Sequence, residues 1–327
     1  MEFLFEYLAF AAKFFTVFLT FAVLIVVALA LAFSKREPER SEVEVRNIND
    51  RLRNTKLTMQ SALLSAKDLK KLKKAADKAN KENTDGERKR VFVCQFVGDV
   101  RASAVESLRD EITAILTVAR PEDEVVVAVE SGGGTIHGYG LAASQLARIK
   151  GQKILLTVTI DKVAASGGYM MACVADRIVA APFAIVGSIG VVAQMPNFNR
   201  LLKKFDIDFE QMTAGEYKRT LSLFGENSQA GREKFQEELE EAHDLFKTFV
   251  KTHRPKVEIE EVAKGEHWFG TRAKNLNLID DIATSDDYLV GLANEADVFA
   301  VSVARQRNLL ERLMDALQGR INDGISL

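Results

Sequence analysis

Cysteine is nearly absent: the 327-residue chain holds only Cys94 and Cys173. Two thiols cannot build a disulfide scaffold or a zinc site of paired cysteines. Each sits in an apolar stretch, so both are expected as buried thiols. An excess of charge is missing too. Lys and Arg total 44 against 46 Asp and Glu, a net charge of −2, which argues against a nucleic-acid binder. Neither GxxxxGK[ST] nor the GxGxxG spacing is present, so no phosphate-cradling fingerprint accompanies the glycines. Internal repeats and low-complexity tracts are absent. Apolar residues are not scarce: at 47% they suffice for a large core.

They are unevenly spread. Phe14 to Phe33 is a run of 20 uncharged, mostly apolar positions, about 30 Å of helix at ~1.5 Å per residue and enough to span a bilayer. Signal-peptide cores are shorter and follow a basic start, whereas Glu2 and Glu6 open this chain. A retained membrane anchor over 1–34 is expected. Lys35, Arg36, Arg40 and Arg46 follow it and favour a cytoplasmic domain, although long folded domains translocate largely regardless of charge. Residues 35–89, rich in lysine, are read as a charged helical or disordered linker.

From residue 90 the texture changes. Val91–Val97, Glu124–Glu130 and Lys153–Ile160 are short apolar runs, as strands buried on both faces require. Helices are expected between them, the first opened by a Ser103-x-x-Glu106 capping box. Strands alternating with helices at this spacing predict parallel βαβ units. In such sheets the loops after strand ends carry the chemistry. Two glycine-rich loops fall there, Ser131-Gly132-Gly133-Gly134 and Ser166-Gly167-Gly168. A further strand is expected over Ile207–Thr213 and a long helix over Gln229–Lys251, with Phe235, Leu239, Ala242, Phe246 and Phe249 on one face. The domain so defined covers 90–295. An amphipathic tail over 296–327, with Leu309, Leu310, Leu313, Met314 and Leu317 on its stripe, is a candidate oligomerisation element.

The first glycine loop reads as a tight turn, an anion site or an oxyanion hole. Ser166 stands between two alanines and two glycines at a strand-to-helix junction. It reads as a nucleophile in an exposed elbow or as a helix N-cap. A nucleophilic serine needs a base. Of the four histidines only His137 lies beside a glycine loop. The other base open to serine is a lysine, and Lys218 in Gly215-Glu216-Tyr217-Lys218-Arg219 is a candidate among many.

Ala165-Ser166-Gly167-Gly168-Tyr169, Gly187-Ser188-Ile189-Gly190, Gly215-Glu216-Tyr217-Lys218 and Gly265-x-x-Trp268-x-Gly270-x-x-Ala273 occur in one order and spacing. In these motifs the chain resembles the signal peptide peptidase A family of serine–lysine peptidases, over about residues 90–290. With the N-terminal anchor it is similar to the inner-membrane branch of Gram-negative bacteria. The resemblance implies an α/β, ClpP/crotonase-like fold behind one transmembrane helix, a homo-oligomer, and hydrolysis of peptides or unfolded polypeptide with no cofactor or metal. It implies a catalytic domain on the periplasmic side of the inner membrane, against the flanking charges. Carried over, Ser166 is the nucleophile and Lys218 the general base. Ser188 orients the lysine, and backbone N–H groups of Gly133 and Gly167 form the oxyanion hole. Two departures stand out. Gly132 replaces the family's usual proline, which loosens the loop. Asn277-Leu278-Ile279-Asp280 replaces Gly-Leu-Val-Asp, and asparagine tolerates the left-handed turn. An acyl-CoA enzyme on the same fold, or a catalytically dead membrane scaffold, are the competing readings.

Overall fold

The structure, a computed structural model, describes residue 10 and residues 12–26, 42–65, 67–68, 70–71 and 88–304. The chain divides into two units, at 42–43 and at 303–304, and each is taken by itself. In the first, residues 12–26 are helical. Phe14, Phe15, Phe18 and Phe21 are exposed. The hydroxyls of Thr16 and Thr20 donate to carbonyls four residues back, at 2.8 and 2.7 Å. Among the described residues no helix is long and apolar enough to cross a membrane. The expected anchor is described only to Val26, and its remainder lies outside the described residues.

The second unit is built on the apolar runs. Strands β2 (Arg90–Val97), β3 (Glu124–Glu130) and β4 (Leu155–Ile160) pair in parallel at its centre. Val91, Val125, Val127, Leu156 and Val158 are fully buried, which removes roughly 1.5–3 kcal/mol of exposed apolar surface per side chain. Helices Val105–Leu116 and Ile136–Gly151 join them. The sheet continues through β6 (Arg177–Ala180) to β9 (Asp281–Ile282), again in parallel. Its other end carries β10 (Asp297–Ala304), parallel to β2, and β1 (Glu42–Asn47) at the edge. A second, three-stranded sheet holds β5 (Val163–Ala165) parallel to β7 (Ile185–Gly187), with β8 (His267–Phe269) antiparallel on β7. The mixed α/β, parallel-rich architecture agrees with the expectation. Cys94 and Cys173 are free and buried.

Several expectations need correction. Part of the stretch 35–89 belongs to the sheet unit. β1 pairs at its edge, and the next helix, Ile48–Leu63, is pinned by Asn49. The Asn49 amide donates to Ala293 O and Ala296 O, both at 2.9 Å, and its Oδ1 accepts from Val298 N at 2.7 Å. Residues 72–87 of the stretch lie outside the described residues. The expected tail opens with β10, because Val298 and Val301 are buried against the core. The stripe from Leu309 to Leu317 lies outside the described residues. Ile207–Thr213 forms no strand: it lies in an excursion, residues 191–228, where no neighbouring strand offers a ladder. The capping box does not form either. Ser103 turns back to Asp99, its Oγ donating to Oδ2 at 2.8 Å and its N–H to Oδ1 at 2.9 Å. The Ser103 N–H that the box would give to Glu106 goes to the Asp99 carboxylate instead, and the helix starts at Val105 with no side-chain cap. The long helix runs from Gln229 to His253. Only Phe246 and Val250 on its stripe are buried, and Phe235 and Leu239 are half-buried.

Candidate active site

Register brings the glycine loops together. β2 and β3 run in step to Val97↔Glu130, so Gly98 and Ser131 leave the sheet side by side. Ser131 then bridges to the second sheet: its N–H donates to Val163 O at 2.8 Å, and its carbonyl accepts from Ala165 N at 2.9 Å. β5 thereby delivers Ser166 beside the first glycine loop. β5 and β7 pair Ala165 with Gly187, so Ser166 and Ser188 are the next residues on adjacent strands. Ser166 N–H donates to Gly187 O at 2.8 Å, and Ser188 N–H to Glu266 O at 2.7 Å.

Both serines have unusual backbones. Ser166 has φ 51° and ψ −118°, and Ser188 has φ 52°. A non-glycine residue held so costs on the order of 1–3 kcal/mol and persists only where its surroundings impose it. Ser166 caps nothing: its side chain makes no bond to the helix that follows, Gly167–Ala172. The strained strand-to-helix turn that points a hydroxyl outward is the geometry of a nucleophile elbow.

Two glycines press against it. A Cβ on Gly133, at φ 92°, would lie 2.7 Å from both Gly167 N and Ser166 Cβ. A Cβ on Gly167 would lie 2.3 Å from the Tyr139 ring. Gly133 lies against Ser166 and Gly167, and Gly167 against the Tyr139 ring, only because neither glycine carries a side chain. Among the described residues Gly167 N–H is unpaired, as the first amide of a helix is. Gly133 N–H donates to Ser131 Oγ at 3.1 Å.

Beneath this shelf are residues that sequence reasoning missed. Tyr139 is fully buried, its hydroxyl donates to Asp99 O at 2.7 Å, and it is in close contact with Ser131 Oγ. Burial pushes its phenol up. Tyr169, three residues after Ser166, is also fully buried and donates to Leu278 O at 2.9 Å. The Leu278 loop is held by Arg254, whose guanidinium bonds both oxygens of Asp280 and Asn277 O. Asn277 takes the left-handed turn, at φ 60°. The only signal for these partners was a tyrosine following each glycine loop.

Lys218 is elsewhere in character. It is exposed on the excursion 191–228, and no hydrogen bond joins it to Ser166 or Ser188 among the described residues. It lines an open groove with Met195, Phe209, Met212 and Phe224. His137 is exposed at the start of its helix and makes no bond to Ser166. Among the described residues no group of acidic, histidine or cysteine side chains is placed to hold a metal.

Comparisons with known proteins bear on this site. Peptidase family S49 matches residues 148–299, and its N-terminal family, Peptidase family S49 N-terminal, matches residues 2–146. A Haemophilus influenzae protein named "Probable protease SohB" is 46% identical over 311 residues, covering 90% of this chain and 88% of that protein. A Buchnera aphidicola protein of the same name is 54% identical over 236 residues, 72% of this chain and 70% of its own. A solved structure, described as a membrane-bound stomatin-specific protease, is 14% identical with a TM-score of 0.42, covering 63% of this chain and 85% of its own. With matches running nearly end to end, the chain belongs to peptidase family S49, within the branch formed by the SohB proteases.

Proposed function

We propose that the chain is a membrane-anchored serine endopeptidase with Ser166 as nucleophile and Lys218 as general base, acting on peptides or unfolded polypeptide. The observation that carries this reading is Ser166 itself: a strained serine with φ 51°, capping nothing, with the backbones of Gly133 and Gly167 against it. The neutral Lys218 amine takes the hydroxyl proton and Ser166 attacks the carbonyl. The N–H groups of Gly133 and Gly167 stabilise the oxyanion, the leaving amine receives the proton, and water resolves the acyl-enzyme. Ser188, beside Ser166 on the next strand, orients the lysine. No step needs a cofactor. An acyl-CoA enzyme would leave the strain at Ser166 without a purpose.

A lysine acts as a base only where its ammonium is desolvated, since an ordinary lysine titrates near 10.4. Covering the excursion supplies that burial. Met212 is 91% exposed there and Val192 80%. So much open apolar surface around a catalytic group supports assembly into a homo-oligomer. Anchoring through Phe14–Phe33 is supported by the exposed apolar side chains of 12–26 and by Thr16 and Thr20, whose hydroxyls are satisfied within the helix as lipid requires. We place the anchor in the bacterial inner membrane with the catalytic domain in the periplasm.

The test is labelling with a fluorophosphonate, followed by turnover of an unfolded protein substrate. Wild type is expected to be labelled at Ser166, and Ser166→Ala to be neither labelled nor active. Lys218→Arg, whose guanidinium cannot give up its proton, is expected to lose about 10²–10⁴-fold in kcat. His137→Ala is expected to stay near wild type. Full activity of Lys218→Arg together with loss in His137→Ala would replace the lysine by the histidine.

A further inference from the structure

Of the two amides beside Ser166, one is already engaged, and counting protons shows how. The single hydroxyl proton of Tyr139 goes to Asp99 O at 2.7 Å. Ser131 must then be the donor in its close contact with Tyr139, since its other acceptor, Gly98 O, lies at 3.3 Å. The lone pair left on Ser131 Oγ takes the Gly133 N–H at 3.1 Å. Gly133, Ser131, Tyr139 and the Asp99 carbonyl form a one-way chain of three hydrogen bonds. Ser131 is 2% exposed and Tyr139 fully buried, so water does not compete. Hydrogen bonds aligned in one direction polarise and strengthen one another.

An N–H that points down into Ser131 does not point at an oxyanion in the cleft above. The peptide unit that carries it joins Gly132 to Gly133. No atom lies within 4 Å of where a Gly132 Cβ would sit, and Gly133 is at φ 92°. With glycine on both sides, this peptide can turn without dragging a side chain. By contrast, Gly167 stands on the Tyr139 ring, and its N–H is free.

We propose that Ser131 and Tyr139 are positioning residues that latch the oxyanion hole one donor short, and that a bound peptide opens it by turning the Gly132–Gly133 peptide from Ser131 toward the cleft. This rests on Ser166 being the nucleophile. The enzyme at rest then holds Gly167 ready and Gly133 in reserve. Only a substrate whose carbonyl reaches the shelf draws the second donor across.

The experiment uses the full chain in detergent, with active sites counted by fluorophosphonate titration. A peptide aldehyde, which forms a tetrahedral adduct on serine, reads the oxyanion hole. In Ser131→Ala the latch is gone: the aldehyde is expected to bind about 3–10-fold tighter and kcat per titrated site to rise by a similar factor, for about one hydrogen bond released. KM for a peptide substrate is expected to stay unchanged. Ser131→Thr keeps the hydroxyl and is expected to behave as wild type. Tyr139→Phe keeps the ring under Gly167 and shortens the chain, so it shifts in the same direction by less, and it carries the test if Ser131→Ala does not fold. Both Ala and Phe variants lose buried bonds and are expected to melt earlier, so a merely structural role predicts falling activity. Unchanged or weaker aldehyde binding and kcat per titrated site overturn the latch while leaving Ser166 as nucleophile. Absence of phosphonate labelling in wild type overturns the nucleophile, and the latch with it.

Discussion

Ser166 and Lys218 sit in regions of opposite construction. Ser166 is held by backbone at strand ends, locked by register: Ser131 to Ala165, and Ser166 to Gly187. Around Lys218 the excursion 191–228 is held mainly by its own contacts. Phe198 N–H donates to Leu223 O at 2.7 Å, Asn197 bridges to Ser222 O and Gly225 O, and Phe198 stacks on Phe224 at 6.0 Å. Ser166 can therefore be strained in a single protomer, because a packed core over-determines it. Lys218 is exposed, and no other described residue covers it. In the proposed mechanism the strain at Ser166 comes from one protomer's core and the desolvation of Lys218 from assembly.

The contrast breaks most visibly at the excursion. Met212→Glu touches no core, so the protomer is expected to keep its unfolding free energy within about 0.5 kcal/mol. On the proposed assembly an unpaired charge at Met212 would be buried at a contact and costly, so activity at micromolar protein is expected to fall about 100-fold, with a lower mass in light scattering. An active, monomeric Met212→Glu enzyme would show that Lys218 is desolvated within one chain.

Tyr169→Phe probes the other region. It strands the Leu278 carbonyl in the core and is expected to cost about 1–3 kcal/mol in urea unfolding, while leaving the association state alone. A loss of association in this variant would mean that the two regions are not separable.

The smallest effect is a pH slope at the sheet. Glu111 accepts from Val303 N at 3.1 Å, and burial pushes its carboxyl from 4.5 to about 6. An acid raised in the folded state favours the protonated native form. This contribution is fully present below pH 4.5 and is lost as pH rises through about 6. Glu111→Gln is expected to remove that decline from urea titrations over this window and to leave kcat unchanged. Equal slopes in both proteins would assign the decline to other groups.

Much of the rigid region was legible in the sequence. The runs VFVCQFV and EVVVAVE announce strands because a sheet covered on both faces tolerates little else. Small residues around Ser166 announce a crowded turn. What escaped were features set by partners that the local pattern does not name. β1 reads EVEVRN, a charged alternation that an edge strand permits but a linker permits equally. Ile207–Thr213 has strand composition and no partner to pair with. Ser103 matched a capping box, yet its N–H goes to Asp99 and not to Glu106. The chain beneath Gly133 was invisible because the spacing of Ser131 and Tyr139 does not show that the tyrosine hydroxyl returns to Ser131 and Asp99.

The position of β10 sets a schedule for synthesis. Its partner β2 ends at Val97, while β10 begins at Asp297 and lies between β1 and β2. At roughly 5–20 residues per second, the 200 residues separating them (297 − 97) take about 10–40 s to emerge. Throughout that interval the edge of β2 has no neighbour, and an open edge invites pairing with other chains. A nascent chain stalled before residue 297 is thus a target for chaperones and for aggregation. The completed sheet is a product of the last part of translation.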